Sequence, residues 1–550
     1  MLKSTRRLRC RSILPLALVV AILSTSPLGS FAQNEKDYNP PSPKQEFRGV
    51  WVATVKGLDY PARPSAWPTA QKEEWKNLLK QYKSLGLNAV IFQARPAGDA
   101  FYPTEYAPWS EYLAGRQGLP PNPEYDVLEF LIQETHQEGM EFHAWLNPYR
   151  ATMGLDTAAL SPQHLFNRHR DWLVRYGQRF YLNPGLPQVR EHVRDVVAEL
   201  VQRYDVDAIH FDDYFYPYPI TNEAFPDSST FLQYGRNFPD INAWRRNNVD
   251  ELIRMVSLAI KEAKPHVYFG ISPFGVWRNK QDDPAGSDTR AGAPSYDAVH
   301  ADVLSWLRQG WIDYVLPQLY WHIGFPPADN AILQRWWSLN TSGRQLYIGF
   351  AAYKVGNDSQ EQWYDPGELP RQIRLARRNR RISGGAFFRS GSVLADPLNL
   401  KDTLRAYYRY PALLPCREEL GLNPAIAAEK LKVGNKKGDA RIIWRPNKES
   451  GPTPPYYYVL YRFTGAGPGD LDDPRNILHI TSFGGKEKKF RFTDTRLEEG
   501  KAYTYQVTAV NRAHCESKPG QAVTVTRSGS RVKPYKRPSG KRSWLAFWKR

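Results

Sequence analysis

The sequence has little cysteine: three residues in a chain of 550, of which only Cys416 and Cys515 lie beyond the N-terminal segment. Two isolated cysteines do not build a disulfide framework, and neither has the spacing of a metal ligand. They therefore either pair with each other or remain as two buried thiols. The chain also lacks HExxH, phosphate-loop and dinucleotide motifs in a supporting context, and it has no Gly-x-Ser-x-Gly elbow. We therefore expect neither a metal nor another cofactor.

Long apolar runs are scarce as well, and the clearest one lies at the N-terminus. Arg6, Arg7, Arg9 and Arg11 precede an apolar run from Ile13 to Leu23, and Ser30-Phe31-Ala32 follows with small residues where a signal peptidase reads. This pattern predicts a secretory signal over residues 1–32, too short for a membrane anchor. No later segment is long and apolar enough to span a bilayer. The protein is therefore expected to be exported to the periplasm or the cell exterior.

The positive charge is unevenly distributed along the chain. Of the net charge of +18, five basic residues without acids lie in the signal and nine lie in the last 24 residues, which leaves about +4 for the rest. This near-balance excludes a nucleic-acid-binding surface on the folded part. The basic segment 527–550 is interpreted either as a disordered, solubilising tail or as a segment attracted to an anionic envelope surface.

Eight β-rich runs alternate with eight helical segments. The runs cover 47–55, 88–95, 140–147, 206–212, 267–273, 312–320, 346–352 and 384–390. The helical segments cover 70–85, 124–138, 187–204, 241–264, 295–309, 329–340, 368–380 and 399–409. Strict alternation is typical of a parallel sheet with crossover helices. The sequence therefore predicts an α/β protein whose residues 40–420 form a (β/α)8 TIM barrel.

Residues 421–526 change character to short alternating strands separated by turns. The predicted strands cover 440–444, 456–461, 490–494, 503–510 and 522–526. This pattern predicts a small all-β sandwich. The run Leu497-Glu-Glu-Gly500-Lys-Ala-Tyr503 resembles a fibronectin type III domain, in which Tyr503 would be the corner tyrosine and Trp444 an early core residue. Such a module implies a spacer or binding platform, so no chemistry is assigned to it.

Polar side chains collect at the C-terminal ends of the predicted barrel strands. Because side chains alternate faces along a strand, the inward positions are Gln93, Arg95, Trp145, Asn147, His210, Asp212, Gln318 and Tyr320. A purely structural barrel interior would be apolar, so this convergence predicts a functional site. Asp213 must turn inward just past the strand end; otherwise Asp99 or Glu105 is the partner of Asp212. His210 is either catalytic or a hydrogen-bonded structural histidine.

Six motifs, in order on six predicted strands, resemble the family-ten-like glycosyl hydrolases of bacterial cell envelopes. They are Phe47-Arg-Gly-Val-Trp51, Gln93-Ala-Arg95-Pro-Ala-Gly-Asp99, Ala144-Trp-Leu-Asn147-Pro, His210-Phe-Asp212-Asp213-Tyr, Ile271-Ser-Pro-Phe-Gly275-Val-Trp277 and Pro317-Gln318-Leu-Tyr320-Trp321. The resemblance implies a secreted (β/α)8 hydrolase of peptidoglycan glycan strands, including strands stripped of their stem peptides. It favours as cleft residues Arg95, Asp99, Asn147, Asp212, Asp213, Gln318, Tyr320 and Trp321.

The predicted site has two parts. The predicted catalytic residues are Asp212, Asp213 and Asp99. The predicted substrate-binding residues are Arg95, Trp145, Asn147, His210, Tyr214, Gln318, Tyr320 and Trp321. True family-ten xylanases carry a glutamate at the end of strand seven, whereas this strand ends in Ala351-Ala352-Tyr353-Lys354 without a carboxylate. The two-glutamate retaining mechanism is therefore not expected.

The predicted function is hydrolysis of bacterial cell-wall glycan by an exported enzyme. Neighbouring carboxylates raise each other's pKa, so one aspartate can stay protonated as an acid while the other is ionised. Wall sugars carry N-acetyl groups, which makes substrate-assisted hydrolysis an option, and the sequence does not assign the two roles. The alternatives are a non-catalytic glycan-binding protein of the envelope and a hydrolase of another polysaccharide. The expected partner is a polysaccharide, and nucleic acid is not expected.

Overall fold

The computed structural model describes residues 41–447, 453–485 and 487–536. The predicted signal (1–32) and the end of the predicted basic tail (537–550) lie outside the described residues. In the part of the chain that is described, no helix is both long and apolar enough to cross a membrane.

A parallel barrel forms the first part of the described chain. Its strands are β1 (Phe47–Val52), β2 (Ala89–Arg95), β3 (Glu141–Leu146), β4 (Ala208–Phe211), β5 (Tyr268–Ile271), β6 (Tyr314–Val315), β7 (Gln345–Leu346 and Ile348–Phe350) and β8 (Gly384–Phe387). The first piece of β7 pairs with β6, and the second piece pairs with β8, which in turn pairs with β1. Because both pieces belong to one stretch interrupted at Tyr347, the sheet closes on itself, as predicted.

Crossover helices follow the strands and surround the barrel. They are α1 (Pro68–Ser84), α2 (Val127–Gln137), α3 (Pro187–Arg203), α4 (Ile241–Ala263), α5 (Val303–Gln309), α6 (Asn330–Leu339), α7 (Glu368–Arg378) and α8 (Leu400–Tyr407). Short helices cover Glu111–Ala114, Leu165–Arg168, Ser228–Tyr234, Ser295–Ala298 and Ser390–Leu394, and a hairpin joins Leu173–Tyr176 to Arg179–Leu182. In α3, valines 189, 193, 196, 197 and 201 are buried because they repeat at helical spacing.

Side chains on the strands segregate as the alternation predicted. Val90 and Phe92 pack outward under the helices, whereas Ala89 and Ile91 belong to the interior cluster with Trp145 and Tyr314. The expectation for Arg95 is wrong. The pairing of β2 with β3 slips by one residue between Gln93 and Arg95, so that Arg95 lies opposite Leu146, an outward-facing residue. A bulge of this kind inverts the alternation beyond it.

The second part of the described chain is a sandwich of two antiparallel sheets. Its strands are β9 (Glu429–Lys436), β10 (Asp439–Arg445), β11 (Tyr457–Thr464), β12 (Ile477–Ile480), β13 (Phe490–Asp494), β14 (Ala502–Val510), β15 (Val523–Ser528) and β16 (Arg531–Pro534). The sheets have the orders β9-β10-β13 and β12-β11-β14-β15-β16. The sequence predicted the five strands β10, β11, β13, β14 and β15 and missed the other three.

The first residues of the predicted basic tail belong to the sandwich. Residues 527–534, placed in the tail, belong to a hairpin in which Val525 pairs with Pro534 around a turn at Gly529. Gly529 has a φ of +57°, which glycine adopts without steric cost. The basic side chains misled the prediction because they extend from the solvent side of this hairpin, while Val532 is buried.

The sandwich packs against the base of the barrel, at the N-terminal ends of its strands. Glu141, the first residue of β3, accepts a hydrogen bond from Arg417 and lies 2.7 Å from Nε2 of His514 in the sandwich. Cys416 and Cys515, the neighbours of those two residues, form a disulfide. This resolves the alternatives left open by the sequence: the linker after the barrel is covalently joined to the sandwich beside a buried ionic cluster.

Candidate active site

Two adjacent carboxylates follow the last residue of β4 at the mouth of the barrel. Asp212 Oδ2 accepts hydrogen bonds from the Trp145 indole at 3.1 Å and from the side-chain amide of Asn147. Its Oδ1 accepts from the backbone N–H of Tyr214 at 3.3 Å. Asp212 therefore points inward, where the alternation along β4 placed it, and residues of β3 and the loop after it hold it there.

Asp213 also turns inward, but it has different partners. Its Oδ1 accepts a hydrogen bond of 3.0 Å from Gln318 Nε2, and its Oδ2 accepts one from the Tyr218 hydroxyl. Gln318 donates a second hydrogen bond of 2.9 Å to the Ser272 carbonyl, which fixes the plane of its amide. The sequence analysis required Asp213 to turn inward just past the end of β4. The backbone turn after Phe211 brings its side chain inward.

Burial dominates the electrostatics of the pair, since only 4% of Asp212 and 7% of Asp213 is exposed. Burial and then the charge of Asp213 raise the pKa of Asp212 to about 7, against the opposing effect of Arg150. Burial also raises the pKa of Asp213, while hydrogen bonds from Tyr218 and Gln318 work in the opposite direction. Burial and mutual repulsion therefore make the pair hold a proton to higher pH than an isolated aspartate would.

Hydrogen bonds from Gln93 and Arg150 hold the side-chain amide of Asn147 in place. Asn147 Oδ1 accepts hydrogen bonds from Gln93 Nε2 at 2.8 Å and from the Arg150 guanidinium. Gln93 Oε1 in turn accepts from the backbone N–H groups of Thr54 and Val55, each at 3.0 Å. Because Gln93 and Arg150 both donate to Asn147 Oδ1, and Gln93 is itself held by backbone, the Asn147 amide is oriented with its NH2 group toward Asp212.

A hydrogen-bonded chain runs from the mouth down the interior of the barrel to its base. His210 Nε2 lies 3.1 Å from the Ser272 hydroxyl, and its Nδ1 lies 2.9 Å from the Tyr314 hydroxyl. The same hydroxyl lies 2.9 Å from His143 Nδ1, and His143 Nε2 lies 3.0 Å from Glu141. Through Gln318 and Ser272 this chain connects Asp213 to the carboxylate that the sandwich contacts.

The Trp51 indole determines which atom donates and which accepts in each hydrogen bond of this chain. The Trp51 indole can only donate, and it lies 3.3 Å from His210 Nε2, so that nitrogen carries a lone pair. His210 is then protonated on Nδ1 and donates to Tyr314, whose hydroxyl donates to His143 Nδ1, leaving His143 Nε2–H to donate to Glu141. Burial holds the pKa of His210 well below its usual range, which keeps this imidazole neutral. His210 is fully buried beneath the mouth, with both nitrogens engaged.

Aromatic rings line the rim above the carboxylates. Tyr214 and Tyr218 are 6.1 Å apart between centroids, Tyr218 lies 6.2 Å from Phe274, and Phe274 lies 5.2 Å from Trp321. On the other side, Tyr320 packs against Tyr353 and Phe388 at 5.6 and 5.8 Å. Burial, Tyr353 and then Asp213 raise the pKa of Tyr320 well above its usual value, so its hydroxyl stays protonated near the pair.

Two predicted residues belong to a neighbouring group rather than to the pair. Asp99 accepts a hydrogen bond of 3.2 Å from the Ala97 N–H, and burial raises its pKa to about 6 against a hydrogen bond from Ser110. Arg95 lines a small cavity on the outer side of the barrel, next to Val193 of α3. No hydrogen bond in the described part of the chain joins Asp99 or Arg95 to Asp212 or Asp213. Of the predicted residues, the structure brings together at the mouth Trp145, Asn147, Asp212, Asp213, Tyr214, Gln318, Tyr320 and Trp321.

Sequence reasoning missed three residues that touch the pair or its supports. Tyr218 contacts Asp213, Arg150 contacts Asn147, and Ser272 contacts both Gln318 and His210. Tyr218 lies in an aromatic-rich loop directly after the aspartates, and Ser272 directly follows β5, so position after a strand was the available signal. In residues 41–447, 453–485 and 487–536, no group of three or more His, Cys, Asp or Glu side chains is arranged to hold a metal ion.

Comparison with known proteins adds independent findings. The sequence model of the family described as glycosyl hydrolase-like 10 matches residues 46–365. A Bacillus subtilis protein named glycosyl hydrolase YngK is 42% identical over 487 residues, which are 87% of this chain and 93% of that protein. An Escherichia coli K12 protein named glycosyl hydrolase DigH is 38% identical over 421 residues, 72% of this chain and 94% of that protein.

Among solved structures, the glycoside hydrolase domain of PgaB (BpsB) from Bordetella bronchiseptica resembles the chain with a TM-score of 0.44 and 13% identity. The match covers 66% of this chain and 99% of that domain.

Proposed function

The chain belongs to the glycosyl hydrolase-like 10 family and is a glycoside hydrolase, and from this premise we propose that it cleaves the glycan strands of peptidoglycan, including strands stripped of stem peptides. The observation that carries the proposal is the pair Asp212 and Asp213: two buried carboxylates at the barrel mouth, each held by its own donors. Glycosidic cleavage requires a proton donor and a negative group that stabilises the developing positive charge.

We assign the two roles from the electrostatics, as part of the proposal. Asp212, with the pKa raised to about 7, is the proton donor to the leaving oxygen. Asp213, which accepts hydrogen bonds from Tyr218 and Gln318, is the ionised partner that stabilises the charge developing on the sugar. Where the sugar carries an N-acetyl group, Asp213 orients the acetamide so that its oxygen attacks the anomeric carbon. With these two roles filled by Asp212 and Asp213, the proposed mechanism needs no carboxylate after β7.

Two features support action outside the cytoplasm. The N-terminal segment has the sequence of a secretory signal. The disulfide between Cys416 and Cys515 suits an oxidising compartment. We therefore propose that the enzyme acts in the periplasm or at the cell exterior, where it meets the wall polymer. We also propose that its basic C-terminal segment is attracted to anionic envelope surfaces.

We also propose that the sandwich is a fibronectin type III-like module. Its sheets of three and five strands enclose Trp444, which is fully buried and stacks on Phe490 at 5.6 Å between centroids. The hydroxyl of Tyr503 lies 3.3 Å from the backbone nitrogen of Glu498, the contact of a corner tyrosine. Its packing against the barrel base favours a supporting role over a role in chemistry.

The direct test incubates the purified protein with glycan strands stripped of stem peptides and measures the release of soluble sugars and new reducing ends. The Asp212→Asn variant serves as the matched control, because it differs in one charge and one proton. Release by the wild type alone supports the proposal. Co-sedimentation with the strands without release would indicate a glycan-binding protein, and release only from another polysaccharide would refute the wall substrate.

A further inference from the structure

An arginine without a partner lies on the hairpin beside the barrel mouth. Arg179 begins the second strand of this hairpin, directly opposite Tyr176. It is partly exposed, and in the part of the chain that the structure describes its guanidinium makes no hydrogen bond or ion pair. The Glu223 carboxylate, which contacts the same hairpin, accepts a hydrogen bond of 2.6 Å from the Gly177 N–H instead. Arg179 is therefore available to bind an anionic group of a ligand.

The alternation of side chains places Arg179 on the face of the hairpin that is turned toward the aspartate pair. Arg179 and Tyr181 share one face of their strand. Tyr181 pairs with Arg150, which lies in the loop after β3. The Arg150 side chain reaches Asn147 Oδ1, and its guanidinium lies 5.5 Å from the centroid of the Tyr214 ring. Arg179 therefore lies on the same side of this small sheet as a residue that already supports the site.

Tyr214, the residue that follows the two aspartates, lies between Arg179 and the site. Burial and then the charges of Asp213 and Asp212 raise the pKa of the Tyr214 hydroxyl to about 12, while Arg150 and Arg179 act in the opposite direction. The charge of Arg179 is thus close enough to act on a hydroxyl at the rim of the mouth. Arg150 already donates two hydrogen bonds within the protein. Of these two arginines, only Arg179 remains available to a ligand.

The proposed substrate carries a group that matches an unpaired arginine. In a strand with stem peptides, the carboxyl group on every second sugar is bound in an amide to the peptide. Removal of the peptide leaves this group as a free carboxylate, so the sugars of stripped strands are anionic at this position and those of intact strands are not. A guanidinium binds a carboxylate through two parallel hydrogen bonds, which a neutral amide does not match. An arginine near the cleavage site therefore distinguishes stripped strands from intact ones.

We propose that Arg179 selects stripped strands by binding the free carboxylate of a sugar close to the bond that is cleaved at Asp212 and Asp213. The inference rests on the proposed function for the identity of the polymer, and it adds a carboxylate-binding site on the hairpin beside the mouth. This hairpin lies between β3 and α3, at the end of the barrel where the strands have their C-termini. Loops at that end of a barrel are the ones that bind substrates.

The test compares Arg179→Gln with Arg175→Gln, a matched control on the same hairpin. Arg175 is exposed and lies opposite Phe180, so its side chain extends from the other face. Both changes are made in the Asp212→Asn background, and binding is measured to stripped strands and to the same strands after conversion of their carboxylates to methylamides. We expect Arg179→Gln to bind stripped strands about 10- to 100-fold more weakly than the control, the usual effect of losing a hydrogen bond to a charged group. The amidated strands should bind equally to both variants.

A second variant, Arg179→Lys, retains the positive charge but not the paired donors, so its binding of stripped strands should lie between those of Arg179→Gln and the control. Equal binding of stripped strands by Arg179→Gln and Arg175→Gln would overturn the inference. A loss of equal size for stripped and amidated strands would also overturn it, because Arg179 would then support the hairpin rather than bind a carboxylate. Either result, together with cleavage of stripped strands by the wild type, would refute the inference alone. Failure of the wild type to bind or cleave these strands would refute the proposed function.

Discussion

The Trp145 indole donates a hydrogen bond of 3.1 Å to Asp212 Oδ2 from the neighbouring strand. The Asn147 amide, just after β3, donates to the same oxygen, so two residues at the end of this strand hold the carboxylate that follows β4. Two fixed donors on one oxygen favour a carbonyl-like oxygen at Oδ2 and place the acidic proton on Oδ1. The neighbouring strand thus determines which oxygen of Asp212 can deliver a proton.

The first prediction concerns Asp212→Asn. The amide occupies nearly the same volume but cannot donate an acidic proton to the leaving oxygen. We expect kcat on glycan strands to fall by about 100- to 10,000-fold, the usual contribution of a general acid. The unfolding temperature should change little, because the amide oxygen still accepts the hydrogen bond from Trp145. A variant that retains more than about a tenth of wild-type turnover would show that Asp212 is not the acid.

The second prediction concerns pH. Because the pKa of Asp212 is raised to about 7, activity should decline as the pH rises through this value and the acid loses its proton. The stability contribution has the same sign. A carboxyl with a raised pKa binds its proton more tightly in the folded state, so stability falls as the pH rises from about 4 toward 7. The pH dependence of kcat/KM measures the effect on activity, and the pH dependence of the unfolding temperature measures the effect on stability. An activity profile that stays flat from pH 6 to 9 would contradict the assignment of Asp212 as the acid.

The third prediction concerns Tyr218→Phe. Its hydroxyl donates to Asp213 Oδ2, and losing a donor to an ionised group disfavours the ionised form. The pKa of Asp213 should rise further, and the acidic limb of the activity profile should move to higher pH by about one unit. Tyr214→Phe is the matched control, since no hydrogen bond joins its hydroxyl to either aspartate. An equal displacement of the limb in both variants would show that only the aromatic surroundings matter.

The fourth prediction concerns the interior chain. Tyr314→Phe removes the hydroxyl between His210 and His143 and leaves one ring nitrogen of each without a partner. Each buried unsatisfied group costs about 1–3 kcal/mol, so the free energy of unfolding should fall by about 2–6 kcal/mol for the two nitrogens. Tyr347→Phe is the control, because Tyr347 lies 5.3 Å away in the same interior layer and contacts Phe47 by stacking. Equal losses in a urea titration would show that the chain contributes nothing beyond packing.

The alternation of side chains made the barrel and most of the mouth predictable. Trp145 and Asp212 followed from strand periodicity alone, since regular strands put every second residue on one face. The direction of the Arg95 side chain was not predictable, because nothing in the run Ala89–Arg95 marks the bulge that turns this side chain outward. Tyr218 was missed for another reason: it reaches Asp213 through a loop, and loop conformation is set by contacts that no local period encodes.

The role of His210 could not be predicted from the sequence either, because it depends on residues that are distant along the chain. Its inward direction was predictable, but its neighbours come from three other parts of the barrel: Trp51 from β1, Ser272 from just after β5 and Tyr314 from β6. Only their positions bear on whether His210 is a catalytic or a hydrogen-bonded structural histidine. The contact of Glu141 with the sandwich was equally inaccessible, because its partners Arg417 and His514 lie more than 250 residues further along the chain.

The last prediction concerns the disulfide between Cys416 and Cys515. It closes a loop with a sequence separation of 99 that contains six of the eight strands of the sandwich. In the chain-entropy description, a link of this length stabilises the folded state by up to about 4.7 kcal/mol. Cys515→Ser should therefore lower the unfolding temperature by several degrees. Turnover at 25 °C should change little, because the link lies at the base of the barrel and the aspartate pair lies at the mouth.

The double variant provides the control for this prediction. Cys416→Ser and Cys515→Ser each remove the same bond, so the two losses of stability should not add, and the double variant should match either single one. A thiol reductant should lower the unfolding temperature of the wild type toward that of the variants and leave the variants unchanged. Additive losses, or equal sensitivity of all four proteins to the reductant, would mean that the two cysteines act as separate buried thiols.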